Sequence, residues 1–326
     1  MPVIVGTDEA GYGPNLGPLV ISATTWEVPV DVSPESLWQT LDSVVSQTAG
    51  RGEKRLHVAD SKKVYASQKP IDSLERSVLT FLNHRRSLPS TLSQMGTMLA
   101  GVKFANAYQQ TISDVVPELT LPMGCSADSL PTYAEQLSTA MSNAGVRLLD
   151  LRSRILFPAE FNDRVRQTGS KGQVLSTATL NLVRASLDAA KQVAEHPTES
   201  SPLSGWVICD KHGGRNRYDD LISESFDDEF VFRLEESMSM SRYRVGGLEF
   251  CFRTKAEELL PVALASMISK YLRETIMHQF NRFWQHHVPG LKTTKGYPVD
   301  AARFRQDIET TMKQLAIDEN TVWRIR

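Results

Sequence analysis

Val3-Ile-Val-Gly-Thr-Asp-Glu-Ala-Gly-Tyr-Gly-Pro-Asn-Leu-Gly-Pro-Leu-Val20 decides how this chain is read. A β-rich run ends in two acids, a turn rich in glycine and proline follows, and a second β-rich run extends from Leu19 to Trp26. Such runs bounded by Gly and Pro read as strands, so a hairpin is predicted with Asp8 and Glu9 where its first strand runs out. A glycine-rich turn after a strand also marks dinucleotide-binding folds. There the glycines open a helix and the acid comes later, whereas here the acids come first and a strand follows, which excludes that reading.

Far along the chain, Trp206-Val-Ile-Cys-Asp210 is a second short apolar strand capped by an acid. If the two strands are neighbours in one sheet, three carboxylates converge at its edge. Hard divalent cations such as Mg²⁺ or Mn²⁺ take oxygen ligands, and a two-ion site activates water on one side of a phosphodiester while stabilising the leaving oxygen on the other.

The remaining pattern alternates strands and helices. Ser33 to Leu41 reads as a capped helix, Ser67 to about Asn83 as an amphipathic one, Arg147 to Leu156 as a strand and Leu175 to about Glu195 as a helix. Residues 196–205 read as a surface loop. Arg242–Val245 and Leu248–Arg253 form a predicted hairpin around Gly246-Gly247, and helices are expected over Leu259–Trp284 and Arg303–Leu315. Residues 89–143, broken by Pro117, Pro122 and Pro131, read as an inserted helical element. The expected architecture is α/β: one domain formed by 1–88 and 144–326, a central mixed sheet flanked by helices, and a helical C-terminal part.

Composition narrows the class. With 41% hydrophobic and 23% charged residues, 326 residues suffice for a full core, and neither a disordered nor a collagen-like chain fits. Cys125, Cys209 and Cys251 are scattered and odd in number, which speaks against a disulfide framework or a Cys-x-x-Cys zinc site. Met1-Pro-Val-Ile-Val-Gly has no basic stretch before an apolar core, and no apolar run is long enough to span a bilayer, so a cytoplasmic protein without membrane contact is expected. The net charge of -2 does not exclude nucleic acid, because clustered acids cancel a basic groove elsewhere.

The run Gly6 to Val20 resembles the first signature of type 2 ribonucleases H, an Asp-Glu pair followed by Ala-Gly-Arg-Gly-Pro and then Gly-Pro-Val. The resemblance continues in chain order through Ala59-Asp-Ser-Lys-Lys63, Trp206 to Asp210, Lys255-Ala-Glu257, Ala265-Ser-Met-Ile-Ser-Lys270 and Lys295-Gly-Tyr-Pro298. It implies a ribonuclease H-like fold and a metal-dependent endonuclease that cuts the RNA strand of RNA–DNA hybrids or ribonucleotide-containing duplexes, leaving 3′-hydroxyl and 5′-phosphate ends. Asp8, Glu9, Asp210 and Glu257 would be the catalytic, metal-binding carboxylates, with Mg²⁺ or Mn²⁺ as cofactor. Gly11, Tyr12, Gly13, Lys62 and Tyr297 would meet the substrate: Lys62 a phosphate, the backbone of Gly11 to Gly13 a ribose 2′-hydroxyl, and Tyr297 a sugar.

The match departs at four places. Tyr12 replaces the arginine of Gly-Arg-Gly, so its phosphate contact is lost or replaced. The stretch after Lys255 is one residue short, which leaves Glu258 as an alternative to Glu257. Arg273-Glu274 replaces Arg-Asp and is read as structural. The insertion around 89–143 and the stretch between Asp210 and Lys255 have no counterpart in compact members.

Lys211-His-Gly-Gly-Arg-Asn-Arg217 reads either as a cationic loop beside the scissile phosphate or as a solvated loop. His286-His287 reads as surface, and Asp219-Asp220 and Asp227-Asp-Glu229 as a solvated acidic face. The rival from another class is a nucleic-acid-binding paralogue with altered structure specificity or lost catalysis. The four acids argue against it, since unneeded clustered acids repel one another and repel phosphate.

Overall fold

Alternate residues of strand β1 (Val3–Ala10) serve two different apolar layers: Ile4 joins one, Val3 and Val5 the other. A strand buried on both faces needs a continuous apolar run, which is what its sequence supplies. The computed structural model describes residues 1–325 apart from 49, 51, 66–69, 103, 105–114 and 194–202. The predicted loop at 196–205 therefore lies mostly outside the described residues, as does the start of the helix predicted from Ser67.

Seven strands form the central sheet: β1, β2 (Leu19–Glu27), β3 (Arg147–Leu156), β4 (Gly205–Asp210), β5 (Val231–Glu236), β6 (Met240–Val245) and β7 (Leu248–Arg253), in the order β3-β2-β1-β4-β7-β6-β5. β1 pairs antiparallel with β2 and parallel with β4, and β4 is parallel to β7. The mixed sheet, its flanking helices and both hairpins match the expectation.

Between β1 and β4 the order of connection reverses, because the chain first builds outward through β2 and β3 and then returns to the other side of β1. In open α/β sheets such a switch point leaves a crevice beyond the carboxyl ends of the strands.

One layer holds α1 (Asp72–Arg85), α2 (Leu92–Ala100), α3 (Leu130–Asn143), the long α7 (Leu260–His287) and α8 (Pro298–Gln314). The other holds α4 (Pro158–Thr168), α5 (Lys171–Val193) and α6 (Asp219–Ser225). Residues of α2 and α3, from the segment expected as an insertion, share the first layer's core through Leu92, Met95, Leu130 and Leu137. Buried Glu75 of α1 braces that segment, accepting the amides of Met123 (2.6 Å), Gly124 (2.6 Å) and Cys125 (2.8 Å) and the Tyr271 hydroxyl (2.6 Å).

Two elements differ from expectation. The helix predicted at Ser33 shrinks to Leu37–Thr40, preceded by a turn in which the Ser33 and Ser36 hydroxyls accept each other's amides. Edge strand β5 was not anticipated: Phe232 and Leu234 are exposed on it, so it has no buried face to give a period-two signal.

α7 is buried around most of its circumference, as a helix apolar on nearly every side must be. It crosses β1 at Gly6, where an added Cβ would stand 2.4 Å from the Pro261 carbonyl carbon. Thr24 of β2 donates to the Pro261 carbonyl at 2.8 Å and fixes the same crossing. Gly6→Ala must push helix from sheet, and a loss of about 1–3 kcal/mol is expected in denaturant unfolding. An unchanged midpoint would show that the crossing is loose.

Candidate metal and nucleic-acid site

β1 and β4 run in register from Val3 opposite Gly205 to Thr7 opposite Cys209. One residue further along each strand come Asp8 and Asp210. Both share strand parity with Ile4 and Ile208, which face the α7 layer, so both acids lie at that layer's end of the crevice. Cys209, of opposite parity, is buried in the other layer.

Glu257 arrives from a third direction. Lys255 takes the left-handed conformation (φ 58°), which turns the chain out of β7 into a short 3₁₀ turn, Ala256–Glu258, just ahead of α7. The Ala256 amide donates to Asp210 Oδ1 at 3.4 Å and ties that turn to β4. Glu258 points away: its carboxylate pairs with Arg253 at 3.4 Å, and its carbonyl accepts the Trp38 indole N–H at 2.7 Å.

Two serines of α7 hold β1 in place. The Ser266 hydroxyl donates to Ser61 Oγ at 3.0 Å and lies where it favours the ionised form of Asp8. Ser269 donates to the Asp8 carbonyl at 3.0 Å and stands 2.9 Å from Ser22 Oγ. Ser61 belongs to a short helix, Ser61–Val64, whose N-cap Asp60 accepts the Lys62 amide at 3.0 Å. This anchors Lys62, whose charge acts on both Glu9 and Asp210.

Asp8, Glu9 and Asp210 resist ionisation. Burial, with the charges of Asp210 and Glu257 added, lifts Asp8 to about 7 against the hydrogen bonds from Ser266 and the Glu9 amide. Burial, then Asp8 and Asp210, hold Glu9 well above the usual carboxylate range, opposed by Lys62. Asp210 is raised by burial and by Glu257. The four expected acids thus act on one another. Among the described residues, however, no three His, Cys, Asp or Glu side chains stand close enough to hold a metal ion as they are. The donor set is oxygen-only, which suits a hard divalent cation, and neutralising these mutually repelling anions is what such an ion does.

The residues expected to meet substrate lie on a neighbouring rim. Asn15 and Leu16 donate their amides to the Gly296 carbonyl at 2.8 and 3.3 Å, which stitches the glycine turn to the Lys295-Gly-Tyr-Pro298 segment. Tyr297 is 55% exposed there, and Gly13 has open space where a Cβ would be. Gly11, at φ 91°, is required: a Cβ would lie 2.5 Å from Arg273 Nε. Tyr12 is half-buried, and burial together with the charge of Glu9 raises its phenol, opposed by Arg215.

The loop after Asp210 splits in character. Lys211 is buried, its ammonium donating to Asn216 Oδ1 (2.7 Å) and the Ser237 carbonyl (2.6 Å). His212 is also buried, 2.9 Å from the Ser176 hydroxyl, and burial pushes it down to about 3, so it is neutral. Arg217 lies 3.7 Å from Asp219 and 3.9 Å from Glu236, while Arg215 turns toward Tyr12 and donates to Gln173 Oε1 at 3.3 Å. His286 and His287 close the far end of α7, about 40 Å from Glu257 at 1.5 Å per residue. Ser266 and Ser269 were not singled out from the sequence, although their spacing of three within Ala265–Lys270 puts both on one helix face.

No protein-family model and no curated protein matches the chain. Among solved structures it is similar to ribonuclease H2 from Pyrococcus horikoshii OT3, at 15% identity over 98% of this chain and 92% of that one, with a TM-score of 0.42. It is similar to ribonuclease HII from Archaeoglobus fulgidus, solved as a complex with PCNA, at 13% identity over 99% and 94% of the chains (TM-score 0.39). Bst-RNase HIII in complex with Mn²⁺ is a third, at 13% identity and a TM-score of 0.42, where 99% of this chain spans 66% of that one. All three neighbours are ribonucleases H.

A carboxyl lifted to about 7 binds its proton more tightly in the native state than in the unfolded chain, where it titrates near 3.8. Its contribution to stability is present below the unfolded value and lost as pH rises through about 7. In EDTA the Tm of the wild type should therefore fall, relative to that of Asp8→Asn, as pH rises from 4 to 7.5, with the variant the more stable at the upper end. Parallel Tm profiles would show that Asp8 is an ordinary acid.

Proposed function

We propose that the chain is a metal-dependent endonuclease of ribonuclease H type, hydrolysing the RNA strand of RNA–DNA hybrids or ribonucleotide-containing duplexes. The observation that carries this reading is geometric: Asp8 and Asp210 stand at the carboxyl ends of two neighbouring parallel strands, and the turn that carries Glu257 is tied to Asp210 by the Ala256 amide. Acids with no task would not be held so near one another, since repulsion and lost hydration both weigh against it.

Asp8, Glu9, Asp210 and Glu257 would hold Mg²⁺ or Mn²⁺, which when bound supplies two-ion chemistry: an activated water and a stabilised leaving oxygen, giving 3′-hydroxyl and 5′-phosphate ends. The chain's own residues do the rest. Lys62 offsets the charge of Glu9 and Asp210 and is placed to meet a phosphate. Ser266 and Ser269 fix the height of Asp8 above α7. The backbone of Gly11 to Gly13 offers donors to a 2′-hydroxyl, the group that separates RNA from DNA, and exposed Tyr297 offers a ring to a sugar. In this reading residues 1–88 and 144–326 carry catalysis, and 89–143 is an insertion braced by Glu75.

A second reading is a paralogue that binds such duplexes without cutting them. The observation on its side is that the acids do not stand at ligand distance from a common point.

Cleavage of labelled duplexes, one fully hybrid, one with a single ribonucleotide and one all DNA, tests both readings in Mg²⁺ and in Mn²⁺. The nuclease reading expects cutting of the RNA-containing duplexes and not of DNA; binding without cutting in either ion would leave the paralogue. Asp8→Asn and Asp210→Asn should reduce cleavage to background while preserving the fold. Glu257→Gln should be severe and Glu258→Gln near wild type, because Glu258 is engaged with Arg253. The reverse order would assign the fourth position to Glu258.

A further inference from the structure

Two buried arginines lie behind the glycine turn. Arg324, 1% exposed, donates through one terminal nitrogen to the carbonyls of Gly11 and Pro14. Its backbone is clamped to the same turn: its amide donates to the Asn15 carbonyl at 2.7 Å, and Asn15 Nδ2 donates to the Arg324 carbonyl at 3.1 Å. Arg273, 2% exposed, donates to the carbonyls of Leu16 (3.2 Å) and Lys295 (3.0 Å).

The Arg324 guanidinium lies over the Phe161 ring, 4.8 Å from its centre, and pairs with no carboxylate among the described residues. A buried charge without a counter-ion is costly, so the carbonyl dipoles of the turn are its compensation. One terminal nitrogen holds both carbonyls, while Nε and the other terminal nitrogen have no partner among the described residues.

The geometry has a consequence for the other side of the turn. In a trans peptide the carbonyl of one residue and the N–H of the next point in opposite directions. With the Gly11 carbonyl drawn inward by Arg324, the Tyr12 amide faces away from it. Neither the Tyr12 nor the Gly13 amide has an acceptor among the described residues.

We propose that Arg273 and Arg324 are positioning residues, a buried cationic pair that draws the turn's carbonyls inward. The Tyr12 amide is thereby turned outward and, with the Gly13 amide next to it, is left to receive a sugar hydroxyl or phosphate oxygen of the substrate. The inference rests on the nucleic-acid reading above and adds the device that orients the RNA-reading turn. Neither arginine touches the reacting atoms.

Arg324→Met, which keeps most of the apolar stem and removes both donors and charge, is the test. Its KM for an RNA–DNA hybrid should rise about tenfold, and its preference for hybrid over DNA of the same sequence should shrink by a similar factor, with kcat changed far less. Arg324→Lys should fall between the two. Backbone hydrogen exchange over residues 10–17 should accelerate without substrate in Arg324→Met. A folded Arg324→Met with unchanged exchange, or with loosened exchange but unchanged KM and hybrid preference, would overturn the proposal. If Arg324→Met does not fold, Asn15→Ala, which removes the clamp on the Arg324 carbonyl, is read in the same way, and the same null results would overturn it. A wild type that shows no preference for hybrid would sink the ribonuclease reading instead; the exchange result then decides whether the pair orients the turn.

Discussion

Repulsion between half-buried carboxylates is the constraint on which the structure turns. Asp8 and Asp210 stand one residue beyond a paired parallel register, and Glu257 is delivered against them by a left-handed residue at the mouth of α7. Left alone, such a group would splay or stay protonated. The fold prevents splaying by fixing each acid through its backbone neighbourhood: Asp8 through Ser269, Asp210 through the Ala256 amide, and the crossing of α7 over Gly6 and Thr24 that sets the distance between helix and sheet. Burial first, and the neighbouring acids after it, raise the proton affinity of Asp8 and Glu9.

α7 connects the acids to the rim formed by the glycine turn and residues 295–298. Much of its length is buried, and Ser266, Ser269, Lys270, Arg273 and Glu274 recur at helical spacing, so one polar stripe runs along it. The upper part of the stripe secures Asp8. The next turn secures the rim: Arg273 takes the carbonyls of Leu16 and Lys295, and Glu274 pairs with Lys270 and Lys295. A single rigid element therefore fixes the acids relative to the glycine turn, as a site must be if it is to act at one position of a strand.

What the sequence revealed follows from how local each signal is. The β1–β2 hairpin, the β4 strand and the Gly246-Gly247 turn were readable because their apolar runs are short, β-rich and punctuated by Gly and Pro. Asp8, Glu9, Asp210 and Glu257 were singled out as motif text, and the parallel pairing of β1 with β4 sets Asp8 and Asp210 at neighbouring strand ends. β5 was missed because, as an edge strand with Phe232 and Leu234 exposed, it hides no apolar face. The loop from Lys211 to Arg217 read either as cations beside a scissile phosphate or as a solvated loop, yet Lys211 and His212 are buried by partners at Ser237 and Ser176, too distant in sequence to be foreseen. Arg324 is the extreme case: it grips Gly11 across 313 positions, and nothing near it in sequence marks that partnership.

The central claim is that these acids are held together at the expense of their ionisation so that a divalent ion can relieve the repulsion. Calorimetric titration of the metal-free protein with Mn²⁺ at pH 7, repeated in buffers of different ionisation enthalpy, measures this directly, since an ion that binds there must displace protons from acids whose ionisation burial disfavours. The account predicts saturable binding with net proton release, both lost in Asp8→Asn/Asp210→Asn. Binding without proton release, or equal binding by the double variant, would contradict it.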